Sequence, residues 1–184
     1  MEAIRSIMDS NDCKTLCLEG EVATISRVRL EMASHPLIHF ACHASQDVED
    51  PLGSGFYLHD GRLKLADIIK QSIKCELAFL SACQTSTGDE KLSEEAVHLA
   101  AGMLAAGYRS VVATMWSIQD KYGPVVAEDF YKDLMEQGTP SGKPGMDSAN
   151  AASALHQAIQ HIRQQVGDTE QGLLTWVPYV HFGY

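Results

Sequence analysis

Three apolar runs, each followed by a segment of helical periodicity, most constrain what this chain can fold into. They are Leu37–Cys42, Glu76–Ala82 and Ser110–Met115. An uninterrupted apolar run is typical of a strand that is covered on both faces, as strands of parallel sheets are. Strands that alternate with helices of ten or more residues indicate a parallel sheet with helices on both sides. The sequence therefore predicts an α/β fold.

Helical patterns fill much of the remaining chain. They cover roughly residues 22–32, 65–73, 93–106, 124–137 and 149–166, and Pro124 suits the first turn of its helix. Thr15–Glu19 is a further short strand candidate. The loop Gln46–Gly55, rich in Gly, Pro and Asp, leads to Phe56-Tyr57-Leu58 and a turn at Asp60-Gly61.

Composition limits the possible partners. The 184 residues suit one domain, and the net charge of −10 comes without any cluster of Lys and Arg. Nucleic acids and anionic membranes are therefore not expected as partners, because basic patches bind both. No apolar stretch approaches the ~18 residues of a spanning helix, and the N-terminus lacks a signal-peptide core. The five cysteines, an odd number, indicate reduced thiols and a cytoplasmic location.

Two of the apolar runs end at residues that suit nucleophilic catalysis. His43 directly follows the first run, and Cys83 directly follows the second. Ligands of parallel sheets bind beyond the carboxyl ends of the strands, and neighbouring strands lie ~4.8 Å apart. A thiol becomes nucleophilic when an imidazole or a helix N-terminus is near it. Cys83 and His43 are thus candidates for a nucleophile and its base, although a strand-end cysteine is by itself more often simply buried.

Other residues near the strand ends allow several interpretations. His39 and His43 are ~13 Å apart along an extended strand, so a shared metal ion is not expected, and His39 is interpreted as an interior histidine. Trp116 and Asp120 follow the third run and could bind substrate, but Asp120 is favoured as the cap of the helix near Pro124. The acidic segment 46–50, together with Asp120, allows a preference for basic peptides.

At these positions the chain resembles a CHAT domain, the caspase- and separase-like cysteine peptidase module that often follows tetratricopeptide repeats. The matching segments are Leu18–Thr24, Ile38–His43, Leu80–Thr85 with Gly88, Ala105–Trp116 and Trp176–Gly183. They run across nearly the whole chain in the family's order. The residues 113–116 and 180–183 resemble the fungal branch most.

The resemblance implies a caspase-like three-layer αβα sandwich with a mostly parallel sheet, formed by residues 1–184 as a single domain. It implies a cysteine endopeptidase that cuts protein substrates through a thioester, with His43 as base and Cys83 as nucleophile. The backbone N–H groups of Ala44 and Cys83 would form the oxyanion hole. No metal or organic cofactor is implied, and an upstream repeat or sensor region is expected in a longer protein.

The chain departs from the family pattern in two places. Ala44 stands where the family usually has Gly, which predicts a less permissive backbone at the oxyanion hole. The first strand of the family's sheet is missing, because Met1–Met8 already resembles the helix that follows it. These departures keep a catalytically silent CHAT interaction domain open as an alternative. A thiol acyltransferase or amidase on a similar sheet is a further option.

Overall fold

A computed structural model describes residues 1–45, 47, 49–71, 75–81, 95–116, 118–138 and 146–183, with side chains except at residues 95–98. These residues form two compact units by their contacts, one from Met1–Cys17 and Ile118–His181, the other from Leu18–Ser117 and Phe182–Tyr184. The helices are α1 Glu2–Ser10, α2 Ile25–Met32, α3 Leu65–Ile69, α4 Glu95–Ala106, α5 Gly123–Gln137, α6 Ala151–Val166 and α7 Glu170–Trp176. The strands are β1 Leu37–Phe40, β2 Ala44–Ser45, β3 Gly55–Leu58, β4 Gly61–Lys64, β5 Cys75–Leu80, β6 Tyr108–Thr114 and β7 Tyr179–Gly183.

The central sheet has the strand order β1-β5-β6-β7. Strand β5 runs parallel to both β1 and β6. Parallel neighbours need long crossovers, which the chain supplies between β1 and β5 and again, through α4, between β5 and β6. The last strand ends at Gly183, whose φ is +126° and at which an added Cβ would meet the carbonyl oxygen of Arg109. Glycine is therefore required where the end of β7 passes β6.

A second, antiparallel sheet of order β2-β3-β4 follows β1 in the chain. Its buried face carries one residue from each strand, namely Ala44, Phe56 and Leu63, which are 2%, 0% and 0% exposed. The Phe56 ring stacks on Phe40 of β1, with 4.0 Å between ring centroids and 7° between ring planes. This contact joins the small sheet to the end of β1.

The core of the second unit lies between the central sheet and helices α3 and α4. The sheet contributes buried aliphatic residues such as Ala78 and Val111, and α4 contributes Leu99, Ala100 and Met103. Helix α4 is apolar enough to be covered on most sides, as expected for a helix that packs on both β6 and α3. The parallel strands are thereby protected from water on this face.

The first unit is helical. Helix α5 packs on both α1 and α6, and α6 also packs on α7. The inner face of α5 carries Val126, Phe130 and Leu134, which are each fully buried. On α6, Leu155 and Ile162 are buried.

The predicted α/β class with a mostly parallel central sheet is confirmed. Two local predictions are wrong. The described residues 15–19 form no strand, and Thr15 Oγ1 instead donates to Asp9 Oδ1 at 3.2 Å. Asp120 does not cap α5, since the N-cap is Tyr122 and no side chain bonds to that helix end.

Candidate active site

The carboxyl ends of β1 and β5 lie side by side with a constant register. Each β1 residue pairs with the β5 residue 40 positions later, ending at Phe40 with Leu80. His43 comes three residues after Phe40, and Cys83 comes three residues after Leu80. Cys83 itself lies outside the described residues. The two sequence-predicted residues therefore follow adjacent strands by the same number of residues.

A hydrogen bond links the two strands where they end. His39 Nε2 and Ser81 Oγ are 3.1 Å apart, and the His39 ring also packs against Phe79 with 4.8 Å between centroids. Desolvation lowers the pKa of His39 to about 4, so the ring is neutral at physiological pH. His39 is partly buried, and its hydrogen bond holds Ser81, the first residue after β5, which is two positions before Cys83.

His43 is exposed and is held through its backbone. Its carbonyl oxygen accepts a hydrogen bond from the N–H of Tyr57 at 2.8 Å. The next residue, Ala44, pairs with Phe56 and is buried. The small sheet therefore fixes the backbone of His43 on one side while its imidazole stays accessible to solvent.

The N–H of Ala44 points away from β3. In this antiparallel ladder the bonded pair is His43 with Tyr57, which makes Ala44 and Phe56 the non-hydrogen-bonded pair. Among the described non-glycine residues, Asp12 alone has a positive φ. Ala44 therefore has a backbone conformation that any L-residue adopts. An alanine at this position, where the family usually has glycine, causes no backbone strain.

Cys42 is adjacent to His43 but has different surroundings. It is half-buried, and desolvation raises the pKa of its thiol to about 11. The thiolate is the nucleophilic form of cysteine, so Cys42 is poorly suited to attack a carbonyl near neutral pH. Cys42 also packs against the hydrophobic core of its unit.

Trp116 and Asp120, the two sequence-predicted substrate residues, belong to different units. Trp116 is partly buried just after β6, and Asp120 is exposed in a turn before α5. Throughout the described part of the chain, no three His, Cys, Asp or Glu side chains are close enough together to hold a metal ion. Nor does any helix within that part have the length and apolar character to cross a membrane.

The exposed face of the small sheet adds residues that the sequence analysis did not single out. Tyr57 pairs with Arg62, and Tyr57 also lies opposite His43. Side chains alternate between the faces of a strand, so His43, Tyr57 and Arg62 share the face opposite the buried row. The signal in the sequence was the polar–apolar alternation Arg62-Leu63-Lys64, which follows the predicted turn.

The mixed α/β structure with its mostly parallel central sheet is consistent with a caspase-like αβα sandwich. The family comparison agrees, since the model for the CHAT domain matches residues 1–184. The chain belongs to the CHAT domain family, which is part of the caspase-like peptidase superfamily. A comparison with curated proteins gives no match.

Proposed function

We propose that this CHAT domain is a cysteine endopeptidase in which Cys83 is the nucleophile and His43 is the base. The observation that carries the proposal is the β1–β5 register, which gives His43 and Cys83 equal offsets from paired strand ends. Three residues extend at most roughly 10 Å, and paired strands are ~4.8 Å apart. Hydrogen-bond contact between the two side chains is therefore within reach.

The surroundings of His43 support its role as a base. Its imidazole is exposed, and its carbonyl is bonded to β3 through the N–H of Tyr57, which limits motion of the backbone. A general base must be held within hydrogen-bond reach of the group that it deprotonates.

The proposed reaction has two stages. His43 takes the proton of the Cys83 thiol, and the sulfur attacks the carbonyl carbon of the peptide bond. The N–H groups of Ala44 and Cys83 stabilise the oxyanion that forms. The C–N bond then breaks, His43 gives its proton to the leaving amine, and a thioester remains. Water activated by His43 hydrolyses the thioester, which releases the acid and restores the thiol.

A peptide-library digestion tests this function. The parent protein should cleave peptides, whereas Cys83→Ala and His43→Ala should each lose roughly 10³-fold or more of the activity. Cys42→Ala is the matched control and should retain activity, because the Cys42 thiol is half-buried and protonated. Cleavage that survives in Cys83→Ala would contradict the proposed nucleophile. A parent that cleaves nothing, even with any natural upstream region present, would favour the silent interaction domain instead.

A further inference from the structure

The exposed face of the small antiparallel sheet carries a polar row beside His43. The opposite face is closed by Ala44, Phe56 and Leu63, so the outward residues of the same strands are His43, Tyr57 and Arg62. Directly opposed residues in an antiparallel pair have Cβ atoms ~4.5–5.5 Å apart. Tyr57, 45% exposed, therefore stands next to His43, and Arg62 stands next to Tyr57.

Arg62 reaches across the sheet toward the strand that begins beside His43. Its Nη1 donates to Ser45 Oγ at 2.9 Å, although Arg62 is on β4 and Ser45 on β2. The intervening residue opposite Ser45 is Gly55, which has no side chain to block the path. The guanidinium of Arg62 is thus held over β3. Its acceptor, Ser45, is two residues after His43 in the chain.

Two basic side chains, those of Arg62 and Lys64, lie on this face of the small sheet. Lys64 is exposed and lies on the same face as Arg62, two positions further along β4. Two nearby carboxylates are held by backbone groups: Asp47 Oδ1 accepts the N–H groups of Glu49 and Asp50, and Asp60 Oδ1 accepts the N–H of Ile25. A planar guanidinium with free donors binds carboxylates in a two-point geometry, and a hydrogen bond to a charged group is stronger than a neutral one.

We infer that Tyr57 and Arg62 form a substrate subsite that selects peptides with an acidic side chain close to the cleaved bond. This inference rests on the proposed peptidase function. The Tyr57 ring would support the peptide, and Arg62 would bind the carboxylate, with Lys64 adding attraction. This selection of acidic side chains is the opposite of the preference for basic peptides that the acidic segment 46–50 and Asp120 allow at the level of the sequence.

Matched peptides test the subsite. A set that differs only in Glu, Gln or Lys at each position near the cleaved bond is assayed for kcat/KM. The parent should favour Glu over Gln at one position by about 10- to 100-fold, and Arg62→Gln should abolish that ratio. Arg62→Glu should shift the preference to Lys. Arg109→Gln is the control, because Arg109 pairs with Glu76 at the amino ends of β5 and β6.

Two outcomes would overturn the inference. One is a parent that cleaves with no preference for Glu. The other is an Arg62→Gln variant in which all three peptides lose activity equally, which would mean that Arg62 only supports the small sheet.

A binding measurement separates this inference from the peptidase proposal. Cys83→Ala should bind the Glu peptide more tightly than the Gln peptide by fluorescence anisotropy, and the added Arg62→Gln change should remove the difference. If the parent cleaves nothing but this binding difference appears, the acidic-peptide site is supported and the peptidase function fails. If neither cleavage nor the difference appears, both are overturned.

Discussion

The stack of Phe56 on Phe40 should be the main link that holds the His43 segment to the central sheet. Phe56 is fully buried, and its ring lies almost parallel to Phe40 at 4.0 Å. Replacing a buried Phe by Ala typically costs about 3–5 kcal/mol of stability, of which ring pairing beyond area burial contributes about 0.5–1.5 kcal/mol. We therefore expect Phe56→Ala to lower the free energy of unfolding by about 3–5 kcal/mol.

Urea unfolding measures this loss. Trp116 belongs to the same unit as Phe56, so its fluorescence in a Trp176→Phe background reports the unfolding of that unit. Tyr57→Ala is the matched control, because Tyr57 is the next residue of β3 but is 45% exposed, and it should cost less than about 1.5 kcal/mol. A Phe56→Ala loss below about 1 kcal/mol, or one equal to that of Tyr57→Ala, would refute the role given to the stack.

Three further predictions concern residues near the strand ends. Because desolvation raises the pKa of Cys42 from 9.0 to about 11, its alkylation by iodoacetamide at pH 8 should be about 100-fold slower than that of an ordinary thiol. Peptide mass spectrometry measures the two rates, and equal rates would contradict the desolvation of Cys42. Ala44→Gly should leave kcat/KM within about threefold, since Ala44 has no positive φ, and a large gain would show that the alanine does strain the site. His39 has a pKa of about 4 when folded and 6.5 otherwise, so unfolding takes up a proton between these values. The free energy of unfolding should therefore fall as the pH is lowered from about 6.5 to about 4. His39→Gln should flatten this part of the profile of urea-derived stability against pH. An unchanged slope in His39→Gln would contradict the lowered pKa of His39.

The central sheet could be predicted because buried parallel strands leave a direct signal. The runs 37–42, 76–82 and 110–115 are apolar on both faces, and each coincides with an observed strand to within two residues. The segment Thr15–Glu19, which was wrongly predicted as a strand, has similar apolar content but forms no strand in the structure. A strand depends on long-range pairing, which a local pattern cannot supply.

The small sheet was predictable only in part. The segment Phe56-Tyr57-Leu58 and the turn at Asp60-Gly61 were recognised, but the pairing of Phe56 with Ala44 was not. A strand of two residues has no period to detect. The approach of Arg62 to Ser45 across Gly55 depends on the register of three strands, so it became visible only in the folded chain.

Labelling with an electrophilic peptide probe tests the Cys83–His43 pair most directly. The probe carries a peptidyl ketone with a leaving group, and peptide mass spectrometry locates the modified cysteine. We predict a single main adduct at Cys83 at neutral pH, formed at least 10-fold more slowly in His43→Ala, because the thiolate is the reactive form and the imidazole generates it. An adduct at another cysteine, or labelling of Cys83 that is unaffected by His43→Ala, would contradict the proposed dyad.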